Sequence, residues 1–157
     1  MNNEDINKIK NIEKRIRKIN AKVKLLGLLN RAKKEYDENK LDSCEKTCRE
    51  VLQTNPNNFV ALRGLGCVMQ SRGDFKKALE YYKKALKTSE NKEIEYTLIG
   101  TIYYLQDDYE NAIKNYNSAI DINDDYEPAY EGKNQSILEN HLQILDLQDN
   151  LIQRNLF

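Results

Sequence analysis

The chain has 157 residues, in which 25 lysines and arginines balance 25 aspartates and glutamates. This length suits one domain, and the zero net charge provides no overall field that would favour nucleic acid or an anionic membrane. No stretch approaches the roughly 18 apolar residues needed to cross a bilayer, and the polar, acidic start does not resemble a secretory signal. We therefore expect no membrane insertion and a cytoplasmic location. Three cysteines, an odd number, favour reduced thiols.

Residues 1–24 predict a basic amphipathic helix. Its apolar residues recur mostly at alternating steps of three and four, and they are Ile6, Ile9, Ile12, Ile16, Ile19, Val23 and Leu26. Such a narrow seam is typical of a helix that pairs with another helix or packs against the body of its own domain. We expect packing on the protein's own end repeat, with a second subunit as the alternative.

The middle of the chain repeats with a period of 34 residues. Two copies match closely: Leu62, Gly66, Tyr82 and Ala85 recur as Tyr96, Gly100, Tyr116 and Ala119. A diverged copy precedes them and carries Leu28, Ala32, Cys44, Cys48, Val51 and Pro56. A period of this length indicates stacked supersecondary units. We assign three units, at residues 25–58, 59–92 and 93–126.

Each unit predicts two helices joined by a tight turn. Apolar residues recur at helical spacing, and the second unit breaks at Gly73-Asp74, where glycine suits a left-handed turn and aspartate caps the next helix. Asn39 and Asp107 occupy the glycine column in the other units. Gly66 and its equivalent Gly100 are expected to leave room for the aromatic residue of the second helix.

This order of Leu-Gly, Ala, aromatic, Ala and Pro resembles the 34-residue unit of the tetratricopeptide repeat family. The resemblance implies an all-α, right-handed solenoid of three helix-turn-helix units with helical extensions at both ends. It also implies a concave groove, lined by the first helices, that holds a peptide or a partner helix. On this chain the groove residues would be Leu29, Asn30, Lys33, Tyr36, Arg63, Cys67, Gln70, Thr97, Leu98, Thr101 and Tyr104.

Residues 127–157 predict a capping helix that continues into a C-terminal helical extension. A second seam, interrupted by Asp149, consists of Leu138, Leu142, Leu145, Ile152 and Leu156. Acidic residues predominate from residue 121 to 150, so the two ends of the molecule have opposite charge. We expect this seam also to pack on the end repeats, and the alternatives are a second subunit and the protein's own groove.

For the cysteines, the histidine and the tyrosines, a structural role is favoured over a role in metal binding, catalysis or RNA binding. Cys44 and Cys48 lie one helical turn apart, as two metal ligands can, but they fall in packing columns and the single histidine, His141, is distant. One histidine and no catalytic motif predict no enzymatic activity, and we expect no metal and no cofactor. Tyrosines interleave with lysines, yet most of those tyrosines also occupy packing columns.

We therefore predict a non-enzymatic scaffold or adaptor that binds a segment of another protein in its groove. Members of the family that grip acidic chaperone tails use Lys, Asn and Arg donors on successive repeats. Here Lys33 and Arg63 could serve, but Thr97, Leu98 and Thr101 bring no charge, which favours an amphipathic helix or a hydrophobically anchored peptide. The alternatives are a scaffold that self-assembles through the terminal helices and an RNA-associated protein that uses the basic first helix.

Overall fold

A computed structural model describes residues 3–155 of the chain. Within that range all regular structure is helical, with no strand, which confirms the predicted all-α class. The seven helices are α1 (Asn3–Asp37), α2 (Leu41–Thr54), α3 (Phe59–Ser71), α4 (Phe75–Thr88), α5 (Lys92–Leu105), α6 (Tyr109–Ile122) and α7 (Glu127–Asn155). The seam residue Leu156 lies outside the described residues.

The helices pack in chain order. Each packs against the next, and the contacts between α1 and α3 and between α5 and α7 bring first helices of successive units side by side. The larger apolar core runs from α1 to α5, and a smaller one joins α6 to the start of α7 around Tyr116 and Ala129. The fold is therefore a stack without a single centre, as the period predicts.

The turns have the predicted geometry. Gly73, Asn39 and Asp107 all adopt left-handed backbone conformations, with φ of 74°, 56° and 59°. The side chain of Asp74 accepts a hydrogen bond from the backbone N–H of Lys77 at the start of α4. A turn residue with positive φ therefore reverses the chain within each pair of helices, and an aspartate caps the second helix in two of the three pairs, at Asp74 and Asp108, whereas α2 begins after Lys40 without a side-chain cap.

The small residues allow close packing of aromatic rings. A Cβ atom added to Gly66 would lie 2.3 Å from the ring of Tyr82, and one added to Gly100 would lie 2.9 Å from the ring of Tyr116. Tyr82 is fully buried. The prediction that these glycines make room for the tyrosines is confirmed.

The expectation that the terminal seams pack on the protein's own repeats is wrong. The side chains of Ile12 and Ile19 in α1 and of Leu142 and Ile152 in α7 are exposed. The reason is continuity: α1 runs unbroken from the seam into the first unit, and α7 is one unbroken helix from the part that packs on α5 and α6 to its seam. Without a turn, neither seam can fold back, and the alternative in which α7 fills the groove is equally wrong.

Candidate binding groove

A hollow of about 180 Å³ lies where α1, α2 and α3 meet. Its surface is mainly apolar, and the small side chains of glycine, alanine and cysteine leave the space open. A Cβ atom at Gly64 would lie 2.7 Å from Sγ of Cys48, so the missing side chain allows α3 to approach α2 closely. The lining residues are Leu29, Ala32, Lys33, Tyr36, Cys44, Cys48, Val60, Arg63, Gly64 and Cys67.

Five of the predicted groove residues meet at this hollow: Leu29, Lys33, Tyr36, Arg63 and Cys67. Val60, which is not among the groove residues predicted from the sequence, also lines the hollow and is 38% exposed. The sequence contains a signal for this role, since Val60 lies in the first turn of α3, the helix that carries Arg63 and Cys67. Ala32, predicted only as a packing residue, also lines the hollow.

Tyr36 ties the first unit to the second. Its hydroxyl lies 3.0 Å from Oγ of Ser71, at the far end of α3. Lys33, one turn earlier on α1, is exposed and forms no ion pair within residues 3–155. The hollow therefore has a free ammonium group at one edge and a tyrosine fixed by a hydrogen bond beside it.

Arg63, which the sequence predicts to be a donor for a partner, forms an ion pair within the chain. Its Nε and Nη2 atoms donate to Oε1 of Glu95 over 2.9 and 2.5 Å. Glu95 is fully buried, and its Oε2 has no hydrogen-bond partner among the described residues. The guanidinium still lines the hollow, but it carries a compensated charge.

The sequence contains a feature that indicates this ion pair. Glu95 stands in the column where the preceding unit carries Ala61, which is 1% exposed. A carboxylate in a buried small-residue column needs an opposite charge close by, because an isolated buried charge is very unfavourable. Arg63 on the preceding unit supplies that charge.

Burial makes the thiols around the hollow poor nucleophiles. The hydroxyl of Tyr82 donates to Oε1 of Gln70 over 2.8 Å and lies 3.4 Å from Sγ of Cys67. Burial raises the pKa of the Cys67 thiol, and burial, helped by the neighbouring Cys44, raises the pKa of Cys48 to about 12. Thiols with raised pKa stay protonated and unreactive near neutral pH.

The groove residues predicted in the third unit carry no charge, and one of them, Thr97, is buried. The hydroxyls of Thr97 and Thr101 donate to backbone carbonyls of their own helix, over 2.8 and 2.9 Å. The ring of Tyr104 lies 5.8 Å from that of Tyr109. Of the predicted groove residues, those that do not line the hollow are Asn30, Gln70, Thr97, Leu98, Thr101 and Tyr104.

Cys44 and Cys48 are both 1% exposed and pack in the larger core, as predicted from their columns. Within residues 3–155, no three residues of the types His, Cys, Asp and Glu come together as a metal site would require. None of the helices in that range is both long and apolar enough to span a membrane.

Comparisons with known proteins agree with this architecture. Tetratricopeptide repeat models match residues 59–92 and 96–126. The tetratricopeptide domain of Sgt2 from Aspergillus fumigatus superposes with a TM-score of 0.69 at 14% identity, covering 75% of this chain and 80% of that one. The domain of OM64 from Arabidopsis gives 0.64 at 13% identity, over 71% and 93% of the two chains.

A third similar structure is the O-GlcNAc transferase of Thermobaculum terrenum, with a TM-score of 0.67 and 22% identity. The match covers 72% of this chain but only 22% of the transferase. At these identities the likeness concerns the fold. The two matched repeats identify the chain as a tetratricopeptide repeat protein over residues 59–92 and 96–126, and domains built from such repeats are generally protein–protein interaction modules.

Proposed function

We propose that the chain is a non-enzymatic adaptor, and that the hollow between α1, α2 and α3 holds an apolar side chain from a peptide or helix of a partner protein. The observation that carries this proposal is the hollow itself, a concavity with a mainly apolar lining on the face formed by first helices. Concave apolar sites with a few polar groups at the edge are the usual form of a recognition pocket. A volume of about 180 Å³ suits one aliphatic or aromatic side chain.

The charge at the hollow defines the partner's chemistry. Lys33 is available to an acidic group, whereas the guanidinium of Arg63 is held by Glu95. A partner segment with an apolar anchor and an acidic residue next to it satisfies both features. A tail recognised mainly through several carboxylates fits less well, because only one of the two cations at the hollow is free of an internal ion pair.

The uncharged groove residues predicted in the third unit favour an amphipathic helix over an extended acidic tail. Thr97 is buried, and Thr101 uses its hydroxyl within α5, so neither presents a free polar group to a partner. Leu98, Thr101 and Tyr104 are partly exposed and would extend the binding face beyond the hollow with apolar and aromatic surface. A helix with anchors at successive turns would use this face in the helix-in-groove mode.

A selection from a library of displayed random peptides tests the proposal. We expect enrichment of sequences that combine an apolar anchor with a neighbouring acidic residue. Val60→Glu should abolish binding of the enriched peptides, because it puts a carboxylate at the hollow. Ile122→Glu is the matched control, since Ile122 is an exposed apolar residue on α6, away from the hollow.

Lys33→Glu separates the acidic contribution from the apolar one. It should weaken peptides with an acidic flank and spare variants of the same peptides in which that flank is neutral. Equal binding by the Val60→Glu and Ile122→Glu variants would exclude the hollow as the binding site. Failure to enrich any such peptide would remove the assigned partner chemistry.

A further inference from the structure

Both terminal helices extend well beyond the packed helices. Residues 7–24 of α1 and residues 141–154 of α7 are exposed throughout, and they are called the N-terminal and C-terminal overhangs below. Each overhang carries a row of exposed aliphatic side chains, which continues by one residue into the adjoining part of its helix. The N-terminal seam is Ile9, Ile12, Ile16, Ile19, Val23 and Leu26, and the C-terminal seam is Leu138, Leu142, Leu145 and Ile152 with Asp149 among them.

We propose that the N-terminal seam of one copy of this protein pairs with the C-terminal seam of a second copy, in a parallel two-stranded coiled coil that joins the copies head to tail. Exposed apolar surface of this extent marks an interaction site. The choice of a second copy as the partner rests on the spacing, the charge and the direction of the two overhangs.

The spacing of the two seams is the same. Steps of three and four residues alternate along both, so Ile9, Ile16 and Val23 occupy the a positions of a heptad, and Leu142 and Asp149 do so on the other helix. The residues between them in each seam occupy the d positions. Two helices with this pattern interlock side chains along a shared seam.

The charged edges of the two seams match only in parallel orientation. Lys8, Arg15 and Lys22 each directly precede an a residue, which makes them g positions, and Glu139 and Asp146 follow d residues, which makes them e positions. In a parallel pair the g edge of one helix faces the e edge of the other. An antiparallel pair would instead bring the acidic e edge of α7 against Glu13 of α1.

One register joins both charge pairs. If Lys8 faces Glu139, then Arg15 faces Asp146 and the layers run from Ile12 with Leu138 to Leu26 with Ile152. The overlap is roughly 15 residues, or about 22 Å of helix. Every seam residue of α7 within the described range is then covered.

Asp149 explains why the seams would not pair with themselves. In the proposed register Asp149 lies in a layer with Val23 and beside the ammonium group of Lys22. If two C-terminal seams paired in register, two Asp149 carboxylates would share one layer, and like charges there are destabilising. Two N-terminal overhangs would likewise bring together helices in which basic residues outnumber acidic ones.

The direction of the helices is consistent with parallel pairing. The N-terminal overhang enters its packed body at the C-terminal end of the overhang, whereas the C-terminal overhang leaves its body at the N-terminal end. A parallel pair therefore puts the two bodies at opposite ends of the coiled coil. An antiparallel pair would put both bodies at the same end, where they compete for space.

Pairing of this kind is heterologous, because each copy uses two different surfaces. An open assembly of copies keeps one free seam at each of its two ends, so association continues unless a ring closes. The expected behaviour of the full chain is a weight-average mass above the 18.4 kDa of one copy, rising with protein concentration and falling as salt screens the charged edges.

Two variants isolate the two surfaces. Ile16→Asp disables the N-terminal seam and Leu142→Asp disables the C-terminal seam, and both positions are exposed, so circular dichroism should show the native helix content. By sedimentation velocity each variant alone should be a monomer. An equimolar mixture should form a dimer and nothing larger, because one intact seam of each kind remains.

The charge pairs test the orientation. Adding Arg15→Glu to the Leu142→Asp chain should weaken the mixed dimer several-fold, and adding Asp146→Arg to the Ile16→Asp chain should restore it. Ile122→Asp, an exposed apolar residue outside both seams, should leave the association of the otherwise native chain unchanged.

Each contrary result overturns the proposal. Self-association of the Leu142→Asp variant would show that N-terminal seams pair with each other, and self-association of the Ile16→Asp variant would show the same for C-terminal seams. A full chain that stays monomeric at high concentration and low ionic strength would leave no pairing to explain. Failure of Asp146→Arg to restore the mixed dimer would exclude the parallel register.

Discussion

Arg63 and Glu95 form an ion pair between α3 and α5 in which the carboxylate is fully buried and the guanidinium is mostly covered, with side-chain exposures of 0% and 22%. Both hydrogen bonds from the guanidinium end on one oxygen of Glu95. The pair joins the second unit to the third at the edge of the hollow. Its position means that one of the two cations expected to bind a partner instead holds the stack together.

Removing one member of this pair should destabilise the protein strongly. Arg63→Ala leaves the Glu95 carboxylate buried without a counter-charge, and we expect a loss of about 3–5 kcal/mol in the free energy of unfolding. The double variant Arg63→Leu/Glu95→Met replaces the pair with apolar side chains and should recover most of that loss. Urea denaturation of both variants measures the difference, and a double variant as unstable as Arg63→Ala would contradict the role given to the buried charge.

Two glycines within helices should respond in opposite ways to alanine. Gly66→Ala puts a methyl group 2.3 Å from the buried ring of Tyr82, and we expect overpacking to cost about 1–3 kcal/mol. Gly27→Ala adds the same group to α1 where no atom lies within 4 Å, so it should stabilise the protein by about 0.5–1 kcal/mol. Thermal unfolding of the two variants should therefore shift in opposite directions, and a shift of the same sign would argue against the packing described.

The turns offer a second matched pair. Asp107 has a φ of 59°, and Asp107→Gly should relieve about 1 kcal/mol of backbone strain. Gly73 has a φ of 74° and open space around a Cβ atom, so Gly73→Ala should lose about 1 kcal/mol for conformational reasons alone. Denaturant titration would reveal the two effects, and a stabilising Gly73→Ala would refute the conformational account.

Stability should fall in alkaline solution because of the buried thiols. The pKa of Cys48 is raised from 9.0 to about 12 in the folded protein, so the unfolded chain releases this proton first as the pH rises. The stabilising contribution is therefore complete below pH 9.0 and is lost progressively toward pH 12, at up to about 1.4 kcal/mol per pH unit. Unfolding free energies of the native chain and of Cys48→Ala should diverge in slope just above pH 9.0, where the variant should be less pH-dependent; parallel slopes would contradict the assignment.

The fold was largely predictable from the sequence because its determinants are local. The turn at Gly73-Asp74, the small residue at Gly66 and the aromatic residue at Tyr82 all act within one helix pair, and they recur at a fixed period. Their roles in the structure match those predictions. The division into three units at residues 25–58, 59–92 and 93–126 stays a prediction.

Relations between units were harder to predict. The pairing of Arg63 with Glu95 depends on how α3 and α5 approach each other. The residues at any one position of the aligned repeats do not predict that approach. The prediction that the seams pack on the end repeats is wrong for a similar reason. Aliphatic residues at heptad spacing do not show whether the helix that carries them turns back. The contribution of Val60 to the hollow likewise depends on the angle between α1 and α3.

Chemical-shift mapping tests the central claim most directly. An isotope-labelled sample should be titrated with a peptide from the selection described above, and the perturbed backbone amides recorded. The account predicts that the largest changes cluster on the first helices, at Leu29, Lys33, Val60 and Cys67, and that they vanish in the Val60→Glu variant. Changes concentrated on the second helices α2, α4 and α6, with none around the hollow, would contradict it.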